Sequence, residues 1–306
     1  MVPSPDPDRP LRGCAICGRA DPAPLPRYRR AHLARCRGCG LVFAAREPSE
    51  AELAANYGGY SRADLDSPIT RQRYRELLGE FEAYRRSGRI LDMGCGIGFF
   101  LEEAERAGWE AYGSEFEARA IEIVRAKGLR CVRAPIATDA LEPGSFDVIT
   151  AFEVVEHLQD PRAEAATIAR LLRPGGLFYC TTPNFGALSR WLLRDRWAVI
   201  EYPEHLTYFT PGTLRAWLGG FGFEAEKVRT TGVGLARLRG GLGRSAAPEL
   251  GSEEDLRARI EGSATLHAAK ATLNGLLVAT RMGDTIKGRF VLRAPLPPSY
   301  PGWGRG

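Results

Sequence analysis

The spacing of apolar positions changes twice along this chain. Between residues 88 and 182, short apolar runs alternate with stretches where hydrophobic residues recur every three or four positions. The first pattern is that of buried strands and the second that of amphipathic helices. It predicts strands over 88–92, 110–115, 129–134, 145–152 and 177–182, with helices over 98–107, 117–127 and 161–173 between them. Two more strands are expected over 224–232 and 288–294, the second after a helical stretch over 252–281. Alternation of this kind builds an α/β sheet with helices on both faces. Gly108 marks a helix end, and Thr210 before Pro211 marks a helix start. Upstream, Ser49 and Glu52 form a capping box, and Tyr74, Leu77, Leu78, Phe81 and Tyr84 fall at helical spacing. Residues 47–87 therefore read as a helical linker. Segments 185–200 and 238–251 read as insertions, and 1–11 and 295–306 as disordered ends.

The stretch around Asp92 carries the most chemistry. A strand ends in Asp92, breaks into Gly94, Cys95, Gly96 and Gly98, and gives way to a helix at Phe99. Glycine admits a ligand close to the backbone, and a helix start offers free N–H groups. The spacing is neither the G-x-G-x-x-G of dinucleotide folds nor a P-loop, since no Lys-Ser or Lys-Thr follows. Asp92 faces a cationic ligand group rather than a pyrophosphate. Glu115 closes the next strand about 20 residues on, where a carboxylate holds ribose hydroxyls in βαβ units. An anionic turn, a ribose carboxylate and no phosphate cradle together suggest S-adenosylmethionine.

Asp92-x-Gly94-x-Gly96-x-Gly98, Glu115, the Phe146–Ile149 strand and the Leu171–Gly176 turn resemble the class I S-adenosylmethionine-dependent methyltransferases over roughly residues 89–232. The resemblance implies a Rossmann-like, seven-stranded, doubly wound sheet with a reversed last strand, in a domain over 88–294. It implies cofactor binding by Asp92, Gly94, Cys95, Gly96, Gly98, Glu115 and Phe116. Pro135 and Ile136 would serve the adenine, because Ala134–Ala137 offers no acid for its amino group. Phe152 and Glu153 would complete the set.

Two further strings are similar to subfamilies. Glu153-x-x-Glu156-His157 is similar to a stretch in quinone-ring O-methyltransferases that is associated with a divalent metal. On a helical turn the three side chains would share one face and suit magnesium or a similar ion. The alternative is a helix start whose acids favour the dipole. Pro203-Glu204-His205-Leu206 resembles the zinc-bearing methyltransferases that include sugar C-methyltransferases. There the resemblance places His205, next to Glu204, near the reacting carbon or hydroxyl, and either His205 or His157 is the candidate proton acceptor; the alternative is a histidine that only ties a loop. The same resemblance makes Tyr57 and Tyr60, in the linker, candidates to line the active site; structural packing is the alternative for each. Asn184 is a candidate polar contact, and Trp191 and Trp197 are candidates for packing or for ring recognition.

Four of the seven cysteines form one pattern, Cys14-x-x-Cys17 and Cys36-x-x-Cys39. The spacing fits a tetrahedral Cys₄ zinc site over 12–46, a zinc-ribbon-like module. Two disulfides are one alternative, which reducing cytosol disfavours, and iron, which also accepts four thiolates, is another. A closed four-thiolate shell leaves no open position, so the metal is structural, and a module this small needs such a staple. His32, between the pairs, reads as a surface residue.

Composition alters little. The 306 residues are 44% hydrophobic and 26% charged, enough for a full core. No apolar run reaches the length of a membrane span, and no signal peptide is visible, so a cytoplasmic protein is expected. Nine arginines against three aspartates make residues 1–46 basic. That raises a rival reading, an RNA base methyltransferase gripping its substrate through the zinc module. Arginines offsetting the thiolate charge explain the same excess, and no Asn-Pro-Pro-Tyr-like motif follows strand four. A small-molecule acceptor is therefore expected rather than nucleic acid. A non-catalytic S-adenosylmethionine-binding module is the second rival. The acceptor and the oligomeric state are not legible in the sequence.

Overall fold

The computed structural model describes residues 11–49, 52, 67–232, 275 and 277–293. Tyr57, Tyr60, the 238–251 insertion, most of the 252–281 stretch, residues 1–10 and 295–306 lie outside the described residues. Three short strands come first, β1 (Ala23–Pro24), β2 (Leu33–Arg35) and β3 (Val42–Ala44). Helix α1 (Pro68–Phe81) follows. Strand and helix then alternate as β4 (Arg89–Met93), α2 (Phe99–Arg106), β5 (Glu110–Glu115), α3 (Ala118–Ala126), β6 (Arg130–Arg133), β7 (Phe146–Phe152), α4 (Pro161–Leu171) and β8 (Leu172–Pro183). The described elements close with α5 (Leu188–Leu193), β9 (Thr207–Tyr208), α6 (Pro211–Gly219), β10 (Phe223–Thr231) and β11 (Thr285–Leu292).

Seven strands form one sheet in the order β10-β11-β8-β7-β4-β5-β6. β4 pairs in parallel with β5 and with β7, and β5 with β6 and β7 with β8 do the same. The last strand is reversed against its neighbour: the Arg293 N–H donates to Gly222 O at one end and the Asp284 N–H to Gly232 O at the other. This is the seven-stranded α/β sheet expected. Two bounds differ. β8 begins at Leu172 because Arg173–Gly176 form a bulge between the Phe146↔Leu172 and Val148↔Leu177 pairs. A Cβ on Gly176 would stand 2.9 Å from Arg173 O and 3.1 Å from Asp147 O, so only glycine fits that bulge. β11 begins at Thr285, three residues before the expected start.

The chain divides into two compact units. The larger draws on Glu50–Thr181, Arg215–Val228 and Gly288–Gly306. Its core gathers Ile90, Leu101, Trp109, Val148 and Leu177, with Phe81 from α1. Central strands covered on both faces read as continuous apolar runs, which is why Ile90, Leu91, Val148 and Ile149 are all fully buried. One buried carboxylate fastens the base of this core. Asp147 accepts the N–H groups of Arg86 and Gly88 at 2.8 and 2.7 Å and the Arg173 guanidinium at 2.6 Å. Burial opposes its ionisation, but Arg173 and those N–H groups hold its carboxyl below the usual range.

The second unit draws on Met1–Ser49, Thr182–Leu214 and Arg229–Lys287. β1, β2, β3 and β9 form its four-stranded antiparallel sheet, with Val42 opposite Tyr208. Tyr28, Leu33 and Val42 share a core with Phe185, Trp197 and Leu206. The cysteine-bearing strands and residues 185–208 are thus one packed body. Three expectations are settled here. Trp197 is buried and packs on Phe185, whereas Trp191 is exposed. His32 is half-buried, not a surface residue, because its left-handed backbone caps a short helical turn and sets its ring edge-on to Tyr202 at 5.0 Å. Asn184 is fully buried. Its Nδ2 donates to Arg281 O and Gly283 O, and its Oδ1 accepts the Gly186 N–H. With all of these bonds internal, it ties backbone together and does not serve as a ligand contact.

Removing one partner of a buried charge pair leaves the other uncompensated. Asp147→Ala is expected to lower the unfolding free energy by about 3 kcal/mol, read from the denaturant midpoint; an unchanged midpoint would contradict the anchoring role of Asp147.

Candidate functional site: a glycine turn and a cysteine centre

The parallel register sets the chemistry of Asp92. Asp92 lies opposite Thr150 on β7 and opposite Gly113 on β5. In-register residues of neighbouring strands point to one face, so the Thr150 hydroxyl donates to Asp92 Oδ1 at 2.7 Å. Gly113 leaves the other flank open for Cys95, since a Cβ there would stand 2.5 Å from the Cys95 sulfur. Asp92 is 3% exposed. Burial pushes its carboxyl up to about 8; the Thr150 hydrogen bond works against this and the Glu115 charge adds to it.

The turn that follows uses three left-handed glycines, Gly94, Gly96 and Gly98, with φ of 67°, 53° and 89°. Side chains are disfavoured there. At Gly94 a Cβ would also meet Val154 at 2.6 Å, while at Gly96 it would meet nothing within 4 Å. Open space therefore lies beside Gly96. Glu115 holds this part of the turn in place. Its Oε2 accepts the Gly96 N–H at 2.9 Å, and its Oε1 accepts those of Phe116 and Glu117 at 2.6 and 3.0 Å. The Gly94 and Cys95 N–H groups both donate to Ser114 O.

The structure thus brings Asp92, Gly94, Cys95, Gly96 and Glu115 together at the carboxyl ends of β4 and β5. Open α/β sheets bind ligands at such an edge. Phe116 is exposed, with the Arg133 guanidinium 5.8 Å from its ring centre. Beyond β6, Pro135 follows a cis peptide bond and is exposed, and Ile136 is buried. Phe152, at the end of β7, meets Tyr74, Phe100 and Tyr179 in an aromatic cluster. Burial and the Asp92 charge push the Tyr74 hydroxyl up to about 12. Thr150, Val154 and the placement of Tyr74 beside Phe152 were missed by the sequence reading. Only strand register and the packing of α1 reveal them.

One expectation fails. Glu153 does not open a helical turn, because its backbone is left-handed, φ 53°. Its N–H is taken by Thr181, at 3.0 Å to the carbonyl and 3.1 Å to the hydroxyl. Glu153, Glu156 and His157 therefore do not share a helical face. Glu156 and His157 lie in the next turn, with Oε1 and Nε2 3.9 Å apart.

In the second unit, the sulfurs of Cys14, Cys17, Cys36 and Cys39 all lie within 4.8 Å of one another. Cys14 and Cys39 are 3.4 Å apart, as are Cys17 and Cys36. A disulfide measures about 2.05 Å, so these are thiols, and all seven cysteines are free. Four bonds of about 2.3 Å to one tetrahedral ion put sulfurs a little under 4 Å apart, and the cluster fits that. Burial opposes ionisation at Cys36, but the Cys39 and Gly38 N–H groups outweigh it and bring the thiol down to about 6.

His205 belongs to this unit as well. It follows the cis Tyr202–Pro203 bond, with its ring edge-on to Tyr208 at 6.4 Å. Its Nδ1 stands 2.8 Å from Val199 O. A carbonyl only accepts, so Nδ1 carries the proton and the lone pair of the neutral ring is at Nε2. Glu204, beside it, is half-buried.

A parallel sheet with a glycine turn and two carboxylates at its edge defines a nucleoside-cofactor α/β protein. The family model of the methyltransferase domain matches residues 68–228, and the chain belongs to that family. It is 34% identical over 169 residues to the ubiquinone biosynthesis O-methyltransferase of Ralstonia nicotianae, covering 50% of this chain and 65% of that protein. With its namesake from Methylococcus capsulatus the identity is 36% over 103 residues, 31% of this chain and 44% of that one. The chain thus spans less than two thirds of these relatives' length. Among solved structures, a SAM-dependent methyltransferase from Archaeoglobus fulgidus aligns over 78% of this chain and 97% of its own, at 19% identity and a TM-score of 0.49. Among the described residues, no helix is long and apolar enough to cross a membrane.

The raised carboxyl of Asp92 has a definite linkage sign. Burial pushes it to about 8, well above the ordinary aspartate value of 3.8. Between the two the native state holds more protons than the unfolded one, so this group costs stability as pH rises, by about 1.4 kcal/mol per unit. Relative to wild type, Asp92→Asn should gain stability steadily from pH 5 to pH 8 in denaturant titrations. A difference that does not change with pH would contradict the buried, protonated Asp92.

Proposed function

We propose that this chain is an S-adenosylmethionine-dependent methyltransferase that methylates a hydroxyl or an acidic carbon of a small-molecule acceptor. A quinol-type ring hydroxyl is the acceptor that the relatives' names favour. The observation that carries the reading is the Glu115-tied glycine turn with Asp92 buried behind it. When bound, the donor supplies an electrophilic methyl group on a sulfonium. The protein's share is binding, alignment and exclusion of water.

In this reading Glu115 receives the ribose hydroxyls, and Phe116, Pro135 and Ile136 flank the adenine. The open space at Gly96 admits the nucleoside close to the backbone. Asp92, once it gives up its proton, provides an anion for the cationic amino-acid end, and Thr150 steadies that carboxylate. Cys95, Gly94, Gly98, Phe152 and Glu153 line the same edge. His205 is the base: the Val199 carbonyl fixes its tautomer, and Nε2 takes the acceptor's proton. Glu204, His157 and Tyr60 are assigned to the acceptor side. The four cysteines hold a structural zinc ion, and a reducing cytoplasm keeps the thiols available.

Three outcomes test this. Glu115→Gln weakens a charge-assisted set of bonds and should lower donor affinity roughly tenfold while leaving the thermal midpoint near wild type; unaltered affinity would remove Glu115 from the donor site. His205→Gln should reduce kcat on an accepted substrate about 100-fold with donor affinity intact, and full turnover would exclude it as the base. Elemental analysis should find one zinc per chain, absent from Cys36→Ser; a metal-free wild-type protein would contradict the zinc assignment.

A further inference from the structure

Helix α5 turns its apolar stripe outward. Leu188, Trp191 and Leu192 are spaced i, i+3, i+4 and so share one face; they are 37%, 61% and 54% exposed. The residues facing inward are Ser189 and Leu193. The orientation is fixed by polar bonds. The buried Ser189 hydroxyl donates to Asp284 Oδ1 at 2.6 Å, and the Arg190 guanidinium stacks 4.6 Å from the Phe185 ring centre. The helix therefore cannot roll its leucines under without breaking a buried hydrogen bond.

The surroundings of this stripe are cationic. Trp191 and Arg194 line one groove with Leu25, Pro26, Arg27 and Tyr28. Arg29 and Arg30 follow on the same short helical turn, Pro26–Ala31, and Arg196 follows α5; all are exposed. Asp195 is the acid among them, 4.0 Å from Arg27. An indole and two leucines ringed by arginines match a surface with an anionic headgroup layer over an apolar interior. A nucleic acid would use the arginines and the indole but gain nothing from two exposed leucines.

We propose that this face docks the protein on an anionic lipid bilayer, with Trp191, Leu188 and Leu192 entering the interface and Arg27, Arg194 and Arg196 engaging headgroups. It lies on the surface and does not span it. The inference does not depend on methyl transfer.

The test is co-sedimentation of the full chain with vesicles of phosphatidylcholine containing phosphatidylglycerol, and with vesicles of phosphatidylcholine alone. Binding is expected to the mixed vesicles, with a blue shift in tryptophan emission that Trp191→Ser abolishes. Neutralising Arg27 and Arg194 together should weaken partition roughly 25-fold, about fivefold per arginine. Both variants should melt like wild type, since the altered side chains are exposed. Equal binding to both vesicle types, no binding, or wild-type binding by Trp191→Ser would overturn the proposal. So would a shift from dimer to monomer in Trp191→Ser, which would assign the face to a second copy, or loss of RNA binding without loss of vesicle binding.

Discussion

The carboxyl edge of β4 and β5 rests on one carboxylate. Glu115 gathers three N–H groups from two places, Gly96 in the glycine turn and Phe116 and Glu117 beyond its own strand. These are backbone donors at a strand end, where buried N–H groups need an acceptor. By collecting them, Glu115 fixes the left-handed run of Gly94, Gly96 and Gly98 next to the end of β5. The turn is therefore shaped before any ligand arrives, which lowers the ordering cost of binding.

A second constraint sits behind it. Asp92 is carried into the core by β4 and meets Thr150 through strand register alone. A carboxyl held protonated by burial is poised to change charge when a cation approaches, because an opposite charge nearby lowers its pKa again. In the proposed reading, that change of charge is what matches the edge to a cationic ligand. The aromatic cluster of Tyr74, Phe100, Phe152 and Tyr179 keeps the neighbourhood apolar.

The features legible in the sequence were the local ones. The seven strands, the glycine turn and Glu115 follow from periodicity and short spacing, and the cysteine pairs announce themselves by two-residue gaps. What escaped depends on register or on chain segments far apart. Nothing in the neighbours of Thr150 signals its bond to Asp92. The pairing of β3 with β9, and the core shared by Tyr28 and Trp197, join distant stretches that no local pattern links. Glu153 misled because an acid-rich run after a strand resembles a helix start, whereas Thr181 captures its N–H and turns the backbone left-handed. Asn184 looked like a ligand contact because it ends a central strand. Its amide is instead consumed by Arg281, Gly283 and Gly186.

The central claim is that the turn around Cys95 clasps a cationic sulfur nucleoside. Isothermal calorimetry on the purified full chain tests it most directly. The account predicts saturable one-to-one binding of S-adenosylmethionine and of its demethylated product, with affinity for the donor rising between pH 6 and pH 9 as Asp92 ionises. A folded protein that binds neither compound at any of these pH values would contradict it.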